Sequence, residues 1–182
     1  MGSPSDDARE VLALTLARPA TLGRGRLVCV DGPTGSGKTT LAAALAELAP
    51  DAVVVHTDEM LEGWDGLVGL AAAVQALLEP LARDEVGTWR RWDWLAGAWA
   101  ETHALAPTGL LVLEGVGSWS PYLAPWVTAL VWTDAPRDLR MRRGIDRDGD
   151  TFAPYWAQWA RDEDALFARD RTRDHADVVV TT

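Results

Sequence analysis

The sequence predicts an α/β protein: a five-stranded parallel sheet covered by helices on both faces. Two observations predict it. Apolar runs of strand length recur along the chain, nearly continuous rather than alternating, with helical segments between them, which is the pattern of strands buried on both sides. The first run passes through a glycine-rich loop into a strong helix former, the strand–loop–helix order of a phosphate-binding unit. In such sheets ligands bind beyond the carboxyl ends of the strands, so reactive side chains are expected there.

Each element follows from local signals. A first helix is expected from about Asp6 to Ala17, stopping before Pro19. Leu27-Val28-Cys29-Val30 is the strand before the loop, and Leu41 to Leu48 the helix after it, with Pro50 as a stop. Ala52 to His56 is a β-branched run of strand length, and Leu67 to Leu81 has helical spacing. A further helix is expected near Asp93 to Leu105, before Pro107. Leu110 to Glu114 and Thr128 to Thr133 read as the third and fourth strands. Arg137 to Asp146 and Pro154 to Ala168 read as helices, and Ala176 to Val180 as the closing strand. The 182 residues are read as one domain, with a helix and lead-in over 1–25, a helical acceptor-binding region over 60–105 and a lid over 137–152.

Composition narrows the function. With 48% hydrophobic residues the chain can bury a full core. A formal net charge of −10 argues against broad nucleic-acid binding, which needs a basic face. No apolar stretch approaches the ~18 residues of a membrane span, and the acidic start (Asp6, Asp7) is unlike a secretory signal or a myristoylation site. The single cysteine, Cys29, lies mid-strand as a small buried hydrophobe, so no disulfide framework exists and a cytoplasmic setting is expected. No pattern fixes the oligomeric state, and a homo-oligomer stays open.

The most informative segment is Gly32-Pro33-Thr34-Gly35-Ser36-Gly37-Lys38-Thr39-Thr40, which matches G-x-x-x-x-G-K-[ST]. Lys38 is the only lysine beside sixteen arginines, kept where a compact ammonium is needed rather than a planar fork. Its glycines let successive N–H groups converge on phosphate oxygens, Lys38 reaches the β/γ-phosphates, and the Thr39 hydroxyl ligates Mg²⁺. The chain is therefore expected to bind ATP or a similar nucleotide.

Two carboxylates follow strands. Asp58, just past the second strand, could take a proton from an attacking hydroxyl, or could cap the next segment, a role open to Thr57 as well. Glu114 ends the third strand, suited to Mg²⁺ or its water shell or to a substrate hydroxyl; the alternative is a strand-end charge facing solvent. Arg140, Arg143 and Arg147 recur at i, i+3, i+7 and would share one helix face, with Arg142 facing away; a merely solvated face is the plain alternative. His56, His103 and His175 lack metal-ligand spacing.

Taken together, residues 32–40, Thr57-Asp58-Glu59-Met60, Glu114-Gly115-Val116 and the arginine-rich segment 140–148 resemble the uridine kinase-like branch of P-loop small-molecule kinases, from about Arg26 to Val180. The resemblance implies a three-layer P-loop kinase fold, Asp58 as general base, Thr39 and Glu114 near Mg²⁺, and an Arg-rich lid that brings Arg140, Arg143 and Arg147 to the transferring phosphate. It implies γ-phosphoryl transfer from ATP to a small-molecule hydroxyl, a nucleoside foremost. Trp89-Arg90-Arg91-Trp92-Asp93-Trp94 loosely resembles an aromatic-Asp element of uridine kinases, so Arg91, Trp92 and Asp93, with Trp64 or Asp65 opposite, are candidates for the acceptor pocket. With ten tryptophans, any single one is as well explained by the core; Trp132, Trp156 and Trp159 read as packing. A coenzyme-precursor kinase, an antibiotic-modifying phosphotransferase or an ATP-binding regulatory module are the other readings.

Overall fold

The computed structural model describes residues 3–149 and 154–182, so the last part of the expected lid lies outside the described residues. The sheet forms as the apolar runs require. β1 (Arg26–Asp31), β2 (Val53–His56), β5 (Leu110–Glu114), β6 (Ala129–Asp134) and β7 (Val178–Thr181) make one parallel sheet in the order β2-β5-β1-β6-β7. Period-two geometry divides each strand between two cores. Leu27, Cys29, Leu111 and Leu113 face α3 (Leu67–Ala82) and α5 (Trp156–Asp170). Val28, Val30, Val112 and Val131 face α1 (Pro4–Ala17) and α2 (Lys38–Leu48). The three layers are thus helix, sheet, helix.

α1 begins two residues earlier than expected because Pro4 sits at its first turn and the Ser3 side chain accepts the Asp6 N–H at 3.2 Å. Cys29 is fully buried, and burial pushes its thiol up, as for an inert small hydrophobe. Trp132 and Trp156 are core residues, Trp132 meeting Phe167 edge to face.

The expected helix over 93–105 is corrected: the chain there is a hairpin. β3 (Gly87–Asp93) and β4 (Ala98–Leu105) pair antiparallel, with Trp89 opposite His103 and Gly87 opposite Leu105. Asp93 Oδ1 accepts the N–H groups of Leu95 and Ala96, and Gly97 takes φ +62°, which together reverse the chain. The region 60–105 is therefore half hairpin rather than wholly helical. Among the described residues no helix is long and apolar enough to cross a membrane.

Candidate active site

The phosphate loop joins β1 to α2. Gly37 adopts a left-handed conformation (φ 96°) and Lys38 opens α2, so the positive end of that helix lies beneath the loop. Gly35 is confined as well: at φ +78°, a Cβ there would lie 2.4 Å from the Arg140 carbonyl oxygen, so the close approach of α4 (Arg137–Asp148) needs glycine. Ser36 Oγ and Thr133 Oγ1, 2.6 Å apart, fasten the loop to β6. The Lys38 ammonium turns back on its own loop, donating to the carbonyls of Gly32 (2.8 Å) and Pro33 (3.0 Å). Burial pushes its pKa down, while the carboxylates of Glu163, Glu114 and Asp31 oppose that shift.

Two of those carboxylates escaped the sequence reading. Asp31 is fully buried at the end of β1; its Oδ1 accepts from Gly32 N–H (2.7 Å) and Gly117 N–H (2.9 Å), and its Oδ2 from Trp119 N–H (3.0 Å). It ties the phosphate loop to the segment after β5, yet burial still pushes its carboxyl up to about 7. Glu163 on α5 is 1% exposed. Its Oε1 accepts from the Thr34 N–H (2.8 Å), from Trp159 Nε1–H (2.6 Å) and from the Thr34 hydroxyl, and its Oε2 stands 3.9 Å from Arg140 Nη1. Burial raises its pKa against the pull of Lys38 and these donors. Trp159 is thus packing, as expected, and a loop anchor besides.

Glu114 and His56 end adjacent strands in register, which explains their contact. Glu114 is buried; its Oε1 lies 2.5 Å from His56 Nδ1 and accepts from the Thr39 hydroxyl at 3.1 Å. Burial drives the Glu114 carboxyl upward, but His56, Lys38 and Thr39 outweigh it and leave it below its ordinary value. The same hydrogen bond pushes His56 up. Glu114 therefore faces the loop and not bulk solvent. Asp58 sits in a 3₁₀ turn (Thr57–Met60) directly after β2. The turn carries no side-chain cap bond, and the Thr57 hydroxyl instead reaches Val116 O (3.3 Å), so capping does not account for Asp58. Asp58 is solvent-exposed, while the protein packed around it, with Glu114 and Glu59, pushes its carboxyl up against His56 and Arg147.

On the other side of the loop, Arg143 Nη1 donates to Gly35 O (3.1 Å) and Thr182 Oγ1 (2.7 Å), and Arg140 Nε to Ala135 O (3.1 Å). Arg147 acts electrostatically on Lys38 and Asp58, while Arg142 is exposed. The arginine face is therefore turned to the loop.

No protein-family model matches the sequence, and no curated protein matches it. Solved structures do. A possible uridine kinase from Bacillus stearothermophilus superposes with a TM-score of 0.68 at 22% identity, covering 96% of this chain and 98% of that one. A putative fructose transport system kinase from Silicibacter sp. TM1040 gives 0.63 at 20% identity, covering 98% and 99%. The fold is that of the P-loop kinases.

In this P-loop kinase fold the remaining sequence candidates lie on and around the β3–β4 hairpin. Two indole N–H groups dock the hairpin on the turn that carries Asp58: Trp94 Nε1 donates to Asp58 O (3.1 Å) and Trp89 Nε1 to Glu59 Oε2 (3.0 Å). Trp64 packs beside that contact, edge-on to Trp94 with ring centroids 5.0 Å apart, stacked on Tyr155 at 4.9 Å and against Trp159 at 5.7 Å. Trp64 is thus brought beside Asp58, whereas Arg91, Trp92 and Asp93 serve the hairpin: Arg91 pairs with Glu101 (2.7 Å), Trp92 meets Trp99 edge to face, and Asp93 closes the turn. Asp65 is exposed in the 3₁₀ turn Gly63–Asp65.

Proposed function

We propose that this protein is an ATP- and magnesium-dependent kinase that phosphorylates a hydroxyl of a small molecule, with a nucleoside such as uridine or cytidine as the leading acceptor. One observation carries the reading: beside a complete phosphate loop, whose Thr39 is bonded to Glu114, stands Asp58, a carboxylate with no side-chain hydrogen bond among the described residues that feels the charges of Glu114 and Arg147. The likeness to a possible uridine kinase supports the nucleoside as acceptor. Thr39 Oγ1 and Glu114 Oε1, 3.1 Å apart, are hard oxygen donors that fit a magnesium ion whose other ligands are waters and substrate phosphates. When bound, the ion neutralises charge on those phosphates.

In the reaction the acceptor oxygen attacks the γ-phosphorus, its proton passes to Asp58, and the bond from the γ-phosphorus to the β–γ bridging oxygen breaks to release ADP. An upward-shifted carboxylate is a stronger base than an ordinary one, which suits Asp58 to that proton. Lys38 and the loop N–H groups hold the β/γ-phosphates, with Gly32, Thr34, Gly35, Ser36, Gly37 and Thr40 shaping the cradle. Arg140, Arg143 and Arg147 stabilise charge on the moving phosphoryl group. Trp64, with Asp65, Arg91, Trp92 and Asp93 further out, forms the acceptor side.

The test is ADP release measured against a panel of nucleosides, coenzyme precursors and antibiotic-type metabolites, with and without Asp58→Asn. The substitution is expected to keep ATP binding and to lower acceptor-dependent turnover by roughly 10²–10⁴, the size of general-base catalysis. If no acceptor raises ADP release above background, the protein is instead an ATP-binding regulatory module.

A further inference from the structure

His56 and Glu114 are the last residues of β2 and β5 and partners in register, so their side chains leave the sheet side by side. Period-two alternation sets the face. Val54 and Val112, two residues earlier, pack in the core shared with Leu41 and Leu45 of α2, so His56 and Glu114 project toward α2 and the end of the phosphate loop. Two contacts result on one oxygen: His56 Nδ1 stands 2.5 Å from Glu114 Oε1, and Thr39 Oγ1 donates to it at 3.1 Å.

Among the described residues these two groups are the hydrogen-bond donors to the Glu114 carboxylate, because the Lys38 ammonium, whose charge is felt there, is given to the Gly32 and Pro33 carbonyls. The two donors differ in kind. The Thr39 hydroxyl swivels about its own bond, and on the magnesium reading it also turns a lone pair to the ion. The imidazole is a rigid ring at a strand end. An ionised carboxylate only accepts, so Nδ1 carries the proton whether the ring is neutral or charged. The His56 side chain is 40% exposed while that of Glu114 is 6% exposed, and the other ring nitrogen has no hydrogen bond among the described residues. Core packing therefore does not account for a histidine at this position, and the buried carboxylate does.

We propose that His56 is a positioning residue that fixes Glu114 Oε1 beside Thr39 Oγ1, so that both oxygens are in place for the divalent cation of the nucleotide. A glutamate left without that bond is free about its side-chain torsions, and freezing them when the cation arrives costs affinity. A rigid donor held by the neighbouring strand removes that cost beforehand, in the way that partners behind a metal ligand set its orientation. His56 thus acts through Glu114 rather than on the reacting atoms. The inference rests on the kinase reading for Thr39 and Glu114 as the residues that hold the ion.

The experiment titrates Mn²⁺, a paramagnetic stand-in for Mg²⁺, into the ADP complexes of the full chain, His56→Ala and His56→Asn. Free Mn²⁺ is read by electron paramagnetic resonance, and ADP binding in EDTA is measured beside it. Removing the partner of a metal ligand typically costs roughly 10–100-fold in metal affinity, so His56→Ala is expected to weaken Mn²⁺ about tenfold. Metal-free ADP binding stays within about twofold, because the loop N–H groups that hold its phosphates are untouched. His56→Asn, whose amide nitrogen takes the place of Nδ1 and donates the same bond, regains most of the loss. Unchanged Mn²⁺ affinity in His56→Ala, no recovery in His56→Asn, or an equal fall in metal-free ADP binding overturns the proposal, the last by showing a structural role alone. A parent whose ADP complex takes up no Mn²⁺ overturns it together with the magnesium reading. Acceptor-stimulated ADP release with Mn²⁺ affinity unchanged by either variant removes His56 alone. The expected Mn²⁺ losses in a protein that no acceptor stimulates uphold His56 and remove the kinase reading.

Discussion

Replacing Asp31 with asparagine isolates the cost of a buried carboxylate at the junction of β1 and the phosphate loop. Burial lifts the folded-state pKa from an ordinary 3.8 to about 7, although Gly32, Gly117 and Trp119 donate backbone N–H bonds and Lys38 adds its charge. A group raised on folding contributes stability that is complete below its unfolded pKa and is lost as pH rises through the folded one. The affected window therefore runs from about pH 4 to about pH 7. At about 1.4 kcal/mol per pKa unit, a gap of about three amounts to roughly 4 kcal/mol, or on the order of 10 °C in Tm for a chain of this size. Asparagine cannot ionise, so it lacks this slope. It carries instead a pH-independent penalty of about 1–3 kcal/mol, because its amide nitrogen must face a backbone donor. The variant is expected to melt below the parent at pH 4, to come level with it near pH 5 to 6, and to melt above it at pH 8, as read by circular dichroism. His56, Asp58 and Glu163 are raised as well, so the parent slopes the same way for several reasons and only the difference between the two proteins reports on Asp31. A difference that is flat with pH would mean that the three N–H donors keep Asp31 ionised throughout, and the burial argument would fall.

Lys38→Arg should lose nearly all turnover, as Lys38→Ala does, because a planar fork cannot replace an ammonium enclosed by the Gly32 and Pro33 carbonyls; near-normal kcat in the arginine variant refutes this. Arg143→Ala should reduce kcat far more than Arg142→Ala, since only Arg143 lies against the loop, and equal losses would show the helix face to be misassigned. Glu163→Ala strands the Thr34 N–H and leaves the Thr34 hydroxyl without its acceptor, at about 1–3 kcal/mol each, and should lower Tm markedly although the Trp159 N–H keeps the Thr34 hydroxyl oxygen (2.8 Å), while Glu163→Gln, whose amide oxygen still accepts, should recover most of it. Equal melting temperatures for the two Glu163 variants would show that the anchor does not depend on those donors.

Where one residue and its immediate neighbours decide the outcome, the sequence was readable. The three central strands, β1, β5 and β6, are apolar runs buried on both faces, and the phosphate loop is a string of residues each needed for its backbone or its charge. The hairpin was misread because Ala96, Ala98, Ala100 and Ala104 favour helix, while the alternation of Trp99, Glu101, His103 and Leu105 favours a strand. Tertiary docking of Trp89 and Trp94 on the Asp58 turn decided for the strand, and Gly97 after the Asp93 turn was the local signal for reversal. Glu163 could have been suspected: Trp156, Trp159 and Glu163 recur at i, i+3, i+7, which puts an acid in an apolar stripe. Its partner Thr34, however, is 129 residues away, and no local pattern names it. His56 is in the same position, because only the β2–β5 adjacency makes it the neighbour of Glu114.

The same long-range placement changes what the lone lysine means. Lys38 has Glu163, Glu114 and Asp31 as its carboxylate neighbours, so the side chains around the loop do not by themselves form a cationic seat. These acids serve the scaffold: Asp31 gathers backbone N–H groups, Glu163 fixes Thr34, and Glu114 orients Thr39. Attraction for a triphosphate must then come from the loop N–H groups with the α2 dipole, and from the arginines of α4. This accounts for the concentration of Arg137, Arg140, Arg142, Arg143 and Arg147 within one helix of a chain whose net charge is −10. It also separates two roles that a single cationic pocket would merge. On the proposed kinase reading, Lys38, enclosed by carbonyls and acids, serves the phosphate oxygens alone. On the same reading the arginines, nearer solvent, supply the field that draws the anion in, and their contribution is the one that salt should screen.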